Sequence, residues 1–594
     1  YFFWWNCGNV KICMVLGDLM RALRNEIVSK LSVTMDKLDL NETKWLDLLG
    51  TSTDKIHGDV TLPCHSFSKI LRKSPNDIAI EIAENLESDL LEIVEINVIN
   101  GFLNFKANNS WISNQISFIN SDSRLGVELE DEKTIVIDYS SPNIAKRMHV
   151  GHLRSTVIGD ALSRILLFKG HNVIGENHIG DWGTPFGMLI EHFIECENNN
   201  VGEIDLSTFY KEARYKFDNI DNFATRSRKR VVKLQSKDPD TINLWQSLVD
   251  HSLIHFNSVY RMLDVLLNDD NLAGESVYED LLPEVVERLT SKNLIVESDG
   301  ALVVFPEGWF NRENEPLPLI IRKGDGGFNY ATTDLACIIN RVESIGCDEM
   351  LYVVGAEQSQ HFSMVFQVAH DAEFMDEKIK AVHVPFGLVM GSDGKKLASR
   401  KGKAITLKEL LEESISRAEK LILEKNPSMS DSDRNEVSKM IGIGAIKYAD
   451  LSIDRNKNYI FDWDKMLSFE GNTAPYLQYA YARICSIFRK SSISRESTLD
   501  SEIIVGDDFE MSLCKSIIGF SESIDDTISS YSPHRLAVYL HHLAQDFASF
   551  YENCPVLISD DQKTMSSRLA LCNLTARTLR TGLGLLGIET PEKM

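Results

Sequence analysis

The chain has 594 residues, 43% of them hydrophobic and 25% charged, and a net charge of −25. That length exceeds a single hydrophobic core and predicts about three to five domains of roughly 100 to 200 residues, and the composition excludes a mainly disordered chain. No apolar run reaches the about 18 to 20 residues of a membrane-spanning helix, and the acidic balance excludes non-specific coating of nucleic acid while leaving room for a local basic surface.

Residues 1–13, YFFWWNCGNVKIC, lack Met, a long apolar core and a small-residue cleavage site, so they read as an extension or an organelle-targeting remnant. Met14 opens an amphipathic helix, MVLGDLMRALRNEIVSKL. In SPNDIAIEIAENL the pair Ser74-Pro75 signals a helix start, and VINGFLNFKAN reads as two strands turning at Asn100-Gly101. Residues 14–132 are therefore expected to form a small α+β domain.

From Thr134 to about Glu424 strands and helices alternate as in a doubly wound parallel sheet. Its first unit, TIVIDYSSPNIAKRMHVGHLRSTVIGDA, runs from a β-branched strand at 134–137 into a loop carrying Asp138, Asn143 and Lys146. His149-Val150-Gly151-His152 then opens a helix. A helix N-terminus offers unpaired N–H groups and partial positive charge to an anion, and Gly151 permits close approach of a phosphate. His149 and His152, three apart, share one side of the first turn and can bond the same phosphate. A metal pair is the rival at this spacing, but no third ligand cluster lies nearby in sequence.

A second strand is expected at His171–Ile179, followed by a turn at Gly180–Gly183, and a polar helical insertion at about 195–297. Within the insertion, Arg226, Arg228, Lys229, Arg230 and Lys233 read as a solvated basic face. The alternation is expected to resume with PLPLIIRKGDGGFNYATTDLACII. There Tyr330 and Asp334, four apart on a helix after the turn at 324–327, share a face. A carboxylate beside an aromatic ring suits a guanidinium, which takes a bidentate acceptor and a stacking surface. Gln358 follows the strand LYVVG, and a Gly-flanked loop with Lys395, Lys396, Arg400, Lys401 and Lys403 follows the last strand. From residue 428 to 594 helical spacing prevails and predicts an all-α bundle. The ten cysteines show no C-x-x-C pair or regular spacing, which points to a reducing compartment and not to a zinc knuckle or disulfide framework.

H-V-G-H after a first strand resembles the H-I-G-H signature of class I aminoacyl-tRNA synthetases, and SSPNIAK…HVGHLRST resembles the arginyl-tRNA synthetases. Lys396-Leu397-Ala398-Ser399-Arg400 resembles the K-M-S-K-S loop but carries Ser399 at the second lysine position; many arginyl enzymes share this departure and carry an upstream lysine, here Lys146. The resemblance covers residues 14–594. It implies a Rossmann-like doubly wound catalytic domain at 133–427, an N-terminal additional domain for the outer corner of tRNA at 14–132, and a helical anticodon-binding domain at 428–594.

The same resemblance implies that L-arginine is activated by ATP to arginyl adenylate, releasing pyrophosphate, and transferred to the terminal ribose of tRNA(Arg). Catalysis falls to Lys146, His149, His152, Lys396 and Ser399. ATP would meet His149, Gly151, His152, Lys396, Ser399 and Arg400; arginine would meet Asp138, Ser141, Asn143, His152, Tyr330, Asp334 and Gln358; tRNA would meet Arg455, Lys457 and Tyr459. Magnesium is expected as the ATP complex, with no tightly bound cofactor, no protein metal site and no membrane partner. A monomer in the cytoplasm is expected, with an organelle as the alternative. Two rivals stand beside this reading. Another class I synthetase or nucleotidyltransferase would lack the guanidinium pocket, and a non-catalytic RNA-binding paralogue would lose the phosphate loop, whereas both histidines and Lys146 are present.

Overall fold

The protein is described by a computed structural model over residues 21–38, 40, 45–52, 57–86, 88–196, 206–391, 393–394, 397, 405–558 and 561–594. Two compact units result, one of Tyr1–Glu128, Ser468–Gly584 and Glu589–Met594, the other of Leu129–Leu467 with Leu585–Ile588.

In the first unit, Ser74 caps the helix Pro75–Glu84, its side chain accepting from the Asp77 N–H at 3.1 Å. The strands Val94–Ile99 and Phe102–Ala107 pair antiparallel, and Asn100 and Gly101 turn between them with φ of 51° and 78°. Two left-handed residues in succession match the right-handed twist of a hairpin. The segment HGDVTLPCHS, to which the sequence reading assigned no element, supplies the strand Val60–Pro63 on the other edge of Phe102–Ala107. The N-terminal module and the C-terminal helices, expected as separate domains, share this unit. Arg577 donates to the carbonyls of Asn120 and Asp122 at 2.6 and 2.5 Å, and Asn120 Nδ2 donates to those of Thr498 and Leu499. Apolar stripes on the helices Ala474–Ser491, His534–Asn553 and Gln562–Leu585 are buried, with Leu477, Leu540 and Leu574 fully so.

The second unit is built on four parallel strands, β1 (Thr134–Asp138), β2 (Asn172–Glu176), β3 (Glu349–Tyr352) and β4 (Lys380–His383), in spatial order β4-β3-β1-β2. Ile135, Val136, Ile137, Met350 and Leu351 are buried, as continuous apolar runs in a doubly covered sheet should be. The helix α1 (Val150–Phe168) follows β1, and α2 (Tyr330–Ile339) and α3 (Ser359–Asp371) flank β3. The strand order reverses between β1 and β3, so a crevice opens at their carboxyl ends, the place where such sheets bind ligands.

Three expectations change. The segment PLPLIIRKG does not rejoin the parallel sheet: Leu319–Arg322 closes a separate antiparallel sheet with Val296–Ser298 and Ala301–Val304, and its burial alternates because only one face is covered. The second strand is shorter than His171–Ile179, ending at Glu176. The boundary near residue 428 moves to 467/468, because the helices Leu407–Lys425 and Asp431–Leu451 belong to the unit of the parallel sheet. Their anchor is Arg154 on α1, fully buried, which donates to Asp450 Oδ1 at 3.2 Å and to the Lys457 carbonyl at 2.9 Å. The chain also returns at its end to this unit, where Lys447 Nζ, completely buried, donates to the carbonyls of Leu263 and Gly587 at 2.6 and 2.7 Å.

Part of the basic face at 226–233 is paired within the fold. Arg226 and Arg230 pair with Glu191 at 3.2 and 2.8 Å, and the Arg228 guanidinium lies 5.5 Å from the Phe217 ring centroid.

Replacing Arg154 with Met leaves Asp450 buried without a counter-charge, so the chemical unfolding midpoint should drop by the equivalent of about 3–5 kcal/mol. Adding Asp450→Asn should recover part of the loss, because no charge then remains buried. Unfolding of the single variant at the wild-type midpoint would remove this pair from the account of the fold.

Candidate active site

The loop leaving β1 adopts a conformation that its residues do not favour alone. Ser140, Ser141 and Ala145 have φ of 73°, 46° and 58°, each costing on the order of 1–3 kcal/mol. Hydrogen bonds hold it there. The Ser140 N–H donates to Ser155 Oγ on α1 at 2.9 Å, and Ser155 Oγ donates to the Val353 carbonyl after β3 at 2.7 Å. Ser140 Oγ meets Tyr260 OH at 2.8 Å, to which Asn177 Nδ2 donates at 3.0 Å. The Ser141 N–H donates to Asn177 Oδ1 and its hydroxyl to Asp138 Oδ1. Asn143 is exposed and its backbone bridges to Gly180. Tyr260 and Asn177 escaped the sequence reading because nothing near them in the chain resembles a motif; Ser155 lies within HVGHLRST, but its bond to the Val353 carbonyl is long-range and leaves no local signal.

At the start of α1 the two histidines close the helix end reciprocally. His149 Nδ1 accepts from the Gly151 N–H at 3.0 Å, and His152 Nδ1 accepts from the His149 N–H at 3.1 Å. Their rings lie 4.1 Å apart. Because its Nδ1 accepts, the neutral His152 imidazole carries its proton on Nε2 and keeps that N–H donor for a ligand. Burial, reinforced by His149 and Lys146, pushes the His152 pKa down to about 4. Gly151 is required here, since a Cβ would fall 2.7 Å from His149 Cε1. Thr156 ties this turn to the loop, its hydroxyl donating to the His152 carbonyl at 2.7 Å and contacting Ser140 Oγ at 2.9 Å.

Asp138 ends β1 in register with Glu176 of β2 and Tyr352 of β3. Arg341, completely buried in a π-helical turn after α2, serves all three. Its Nη2 lies 2.9 Å from Asp138 Oδ2 and 2.6 Å from Glu176 Oε2, its Nε donates to Glu176 Oε2 at 2.9 Å, and the guanidinium sits 4.7 Å from the Tyr352 ring centroid. Burial alone would lower the pKa of Arg341, but the surrounding Tyr352, Glu176 and Asp138 raise it well above the ordinary value. Asp138 is thus engaged by Arg341 and Ser141. A lone Arg inside the apolar run ACIINRVESI was the only signal for it in the sequence.

Tyr330 and Asp334 do share a face of α2, and both reach His361 on α3. His361 Nε2 lies 2.6 Å from Asp334 Oδ2, and its ring centroid is 4.7 Å from that of Tyr330. Tyr330 is 61% exposed. The histidine engages one carboxylate oxygen and leaves Oδ1 for a guanidinium. Gln358 ends the short 3₁₀ turn Ala356–Gln358 that leads into α3, three residues before His361. Sequence reading missed His361, although its spacing from Gln358 placed it one turn away.

Lys146 is exposed in the loop, with its Nζ 4.7 Å from the ring centroid of Tyr210. Lys396, Ser399 and Arg400 lie outside the described residues; downstream of them, Thr406 pairs with His149 in an isolated antiparallel bridge. The expected tRNA contacts are not brought together as a free surface. Tyr459 is 5% exposed and its strand pairs with Val389–Met390, so its ring cannot stack on a base. Arg455 Nη1 donates to the Pro385 carbonyl at 2.7 Å, and the Lys457 carbonyl is taken by Arg154. All three lie in the unit of the parallel sheet, and of the three Lys457 has an exposed side chain.

Three family descriptions match the chain: tRNA synthetases class I (R), catalytic domain, over residues 115–463; DALR anticodon binding domain over 477–594; and arginyl tRNA synthetase N terminal domain over 22–107. The chain is similar to the arginine–tRNA ligase of Thermobifida fusca, 48% identical over 534 residues covering 89% of this chain and 92% of that protein. It is also similar to that of Shewanella woodyi, 43% identical over 584 residues covering 96% and 100%. Among solved structures, the arginyl-tRNA synthetase of Plasmodium falciparum superposes with a TM-score of 0.80 at 29% identity, covering 96% of this chain and 99% of that one. A doubly wound sheet with a histidine-capped helix after its first strand and matches spanning nearly the whole chain together place it: the chain belongs to the arginyl-tRNA synthetases of class I.

Proposed function

We propose that this arginine–tRNA ligase performs both half-reactions at the carboxyl edge of the parallel sheet, with the α1 histidines on ATP and the α2–α3 pair on the arginine side chain. The observation that carries this reading is the reciprocal capping of α1 by the two histidines, which leaves the Nε2–H of the neutral His152 as a donor at a helix N-terminus beside the cation of Lys146. The arginine carboxylate attacks the α-phosphorus in line, a P–O bond forms to arginine, and the bond to pyrophosphate breaks. No covalent enzyme nucleophile is needed. Negative charge gathers on the α-phosphate and the leaving pyrophosphate, and fixed donors with Lys146 and the 396–400 loop stabilise it. Ser141, Asn143 and His152 would orient the amino-acid backbone, and Asp138 would act through Ser141.

Magnesium enters this reading on the phosphates of ATP. The groups at the phosphate end are imidazoles and a lysine, which do not suit a hard, oxygen-seeking cation, so the substrate's own phosphates would hold it. The eight described cysteines are free thiols, as in a reducing cytoplasm or organelle. No described helix is long and apolar enough to cross a membrane.

For tRNA the better candidates lie on the helical bundle. Tyr479 is 43% exposed, and the Arg483 guanidinium lies 5.6 Å from its ring centroid and 4.9 Å from that of Tyr551. Such a cluster can hold phosphate and stack on a base.

His152→Ala should slow single-turnover adenylate formation by about two to three orders of magnitude, the effect of losing one oriented donor, and His152→Gln should recover part of it. The pH dependence has a definite sign. With a folded pKa of about 4 below the unfolded value near 6.5, the unfolded chain binds the extra proton, so stability falls as pH drops from about 6.5 to about 4 and is insensitive to this residue above that window. Unchanged adenylation in His152→Ala would remove the histidine from the mechanism.

Asp334→Asn keeps the size of the side chain and removes the charge opposite the guanidinium. Arginine should bind more weakly by about 2–5 kcal/mol, read by calorimetry, with ATP binding unchanged. A loss of ATP affinity with arginine affinity intact would mean the pocket is assigned to the wrong substrate.

Tyr479→Ala should weaken tRNA binding by about 1–3 kcal/mol if a base stacks there, and Arg483→Ala should reduce the salt dependence of binding by about one phosphate contact. Filter binding across a salt series reads both; wild-type affinity and slope in the two variants would move the RNA contact elsewhere.

A further inference from the structure

Lys146 differs in its partner from the paired cations of the insertion. In the insertion, Lys216 pairs with Glu195 at 2.9 Å, Arg230 with Glu191 at 2.8 Å and Arg214 with Asp218 at 2.8 Å. Among the described residues, Lys146 has no carboxylate partner and no hydrogen-bond acceptor for its ammonium; its contact is the face of Tyr210, 4.7 Å from the ring centroid. Tyr210 is half-buried on the helix Leu206–Asn219, which lies between β2 and β3 in sequence and sixty-odd residues from the loop it reaches.

The difference has a chemical consequence. A lysine head on a flexible four-carbon stem samples many rotamers, and a phosphate that must find it pays for that freedom in rate. A carboxylate would hold the head but cancel its charge and compete with the incoming phosphate. An aromatic face attracts the cation through its quadrupole, narrows its positions and leaves the charge intact. The attraction is weak enough for a phosphate to win.

We infer that Tyr210 is a positioning residue for adenylate formation, parking the Lys146 ammonium over its ring, charged and within reach of the triphosphate of ATP. This rests on the reading of Lys146 as a phosphate ligand. It makes the insertion a contributor to the catalytic loop through one side chain, and it predicts that the ring matters while the hydroxyl does not.

The test is a double-mutant cycle in the full-length enzyme, with adenylate formation followed at saturating arginine and tRNA. Lys146→Ala sets the reference and should lose at least an order of magnitude. Tyr210→Phe should retain the wild-type rate to within about twofold, because the quadrupole remains. Tyr210→Leu should lower kcat by about 3- to 30-fold with the KM for arginine unchanged, and Tyr210→Met, of similar bulk, covers the case in which the Leu variant loses its thermal transition. In the Lys146→Ala background either substitution should have no further effect, since the cation that the ring positions is gone. A wild-type rate in Tyr210→Leu and Tyr210→Met, an equal loss in Tyr210→Phe, or the same loss in the Lys146→Ala background would each overturn the inference. A wild-type rate in Lys146→Ala itself would overturn the underlying reading of the lysine, a result visible without any Tyr210 variant.

Discussion

The second unit depends on one buried guanidinium. Three adjacent strands end on the same rung, Glu176, Asp138 and Tyr352, so the parallel register sets two carboxylates side by side in a dry interior. Two such charges without a cation would repel each other and resist burial. Arg341 supplies the cation, donating to both acids while stacking on the ring of Tyr352. Removing one member of such a cluster strands the others, a penalty of about 3–5 kcal/mol. The same residue ends the helix that carries Tyr330 and Asp334. Through Asp138 it also reaches Ser141 and the strained loop. Both halves of the candidate site are therefore referenced to a single side chain.

In the proposed phosphate site a neutral His152 lies at the start of α1 and the exposed Lys146 supplies the charge. A histidine that titrated near neutrality would make its contribution vary across the physiological range. Here the Nδ1 atoms accept from backbone N–H groups that the helix terminus would otherwise leave unpaired, so capping the helix and fixing the His152 tautomer are one act. The low His152 pKa follows from that burial. Charge is left to Lys146, whose exposure and aromatic neighbour keep it available.

A chain with a net charge of −25 binds a polyanion through local features. The obvious basic run at 226–233 is partly paired by Glu191. The bundle instead offers Arg483 between two tyrosines. Charge density along the sequence is thus a poor guide to an RNA surface, because a helix face rich in arginine is as easily matched by a neighbouring acidic helix as by phosphate.

The sequence by itself determined what rests on local chemistry. Ser74 and Pro75 set a helix start, Asn100-Gly101 a hairpin turn, the β-branched run 134–137 a buried strand, and H-V-G-H a capped helix at the phosphate loop. Each depends on residues within about one helical turn, so spacing and residue type suffice. Tyr330 and Asp334 on one face of a helix were legible for the same reason. What lay beyond was decided by distant partners. Leu319–Arg322 reads like a sheet strand, but its pairing with Ala301–Val304 is a long-range choice. Arg455, Lys457 and Tyr459 look like an RNA-binding triplet, but the Tyr459 ring is buried against Arg154, some three hundred residues earlier. Arg341, His361, Tyr260 and Tyr210 carry no motif at all. They matter only because folding brings each within a few ångströms of a motif residue, and contacts between residues far apart in the chain leave no periodic or local trace for a single sequence to show.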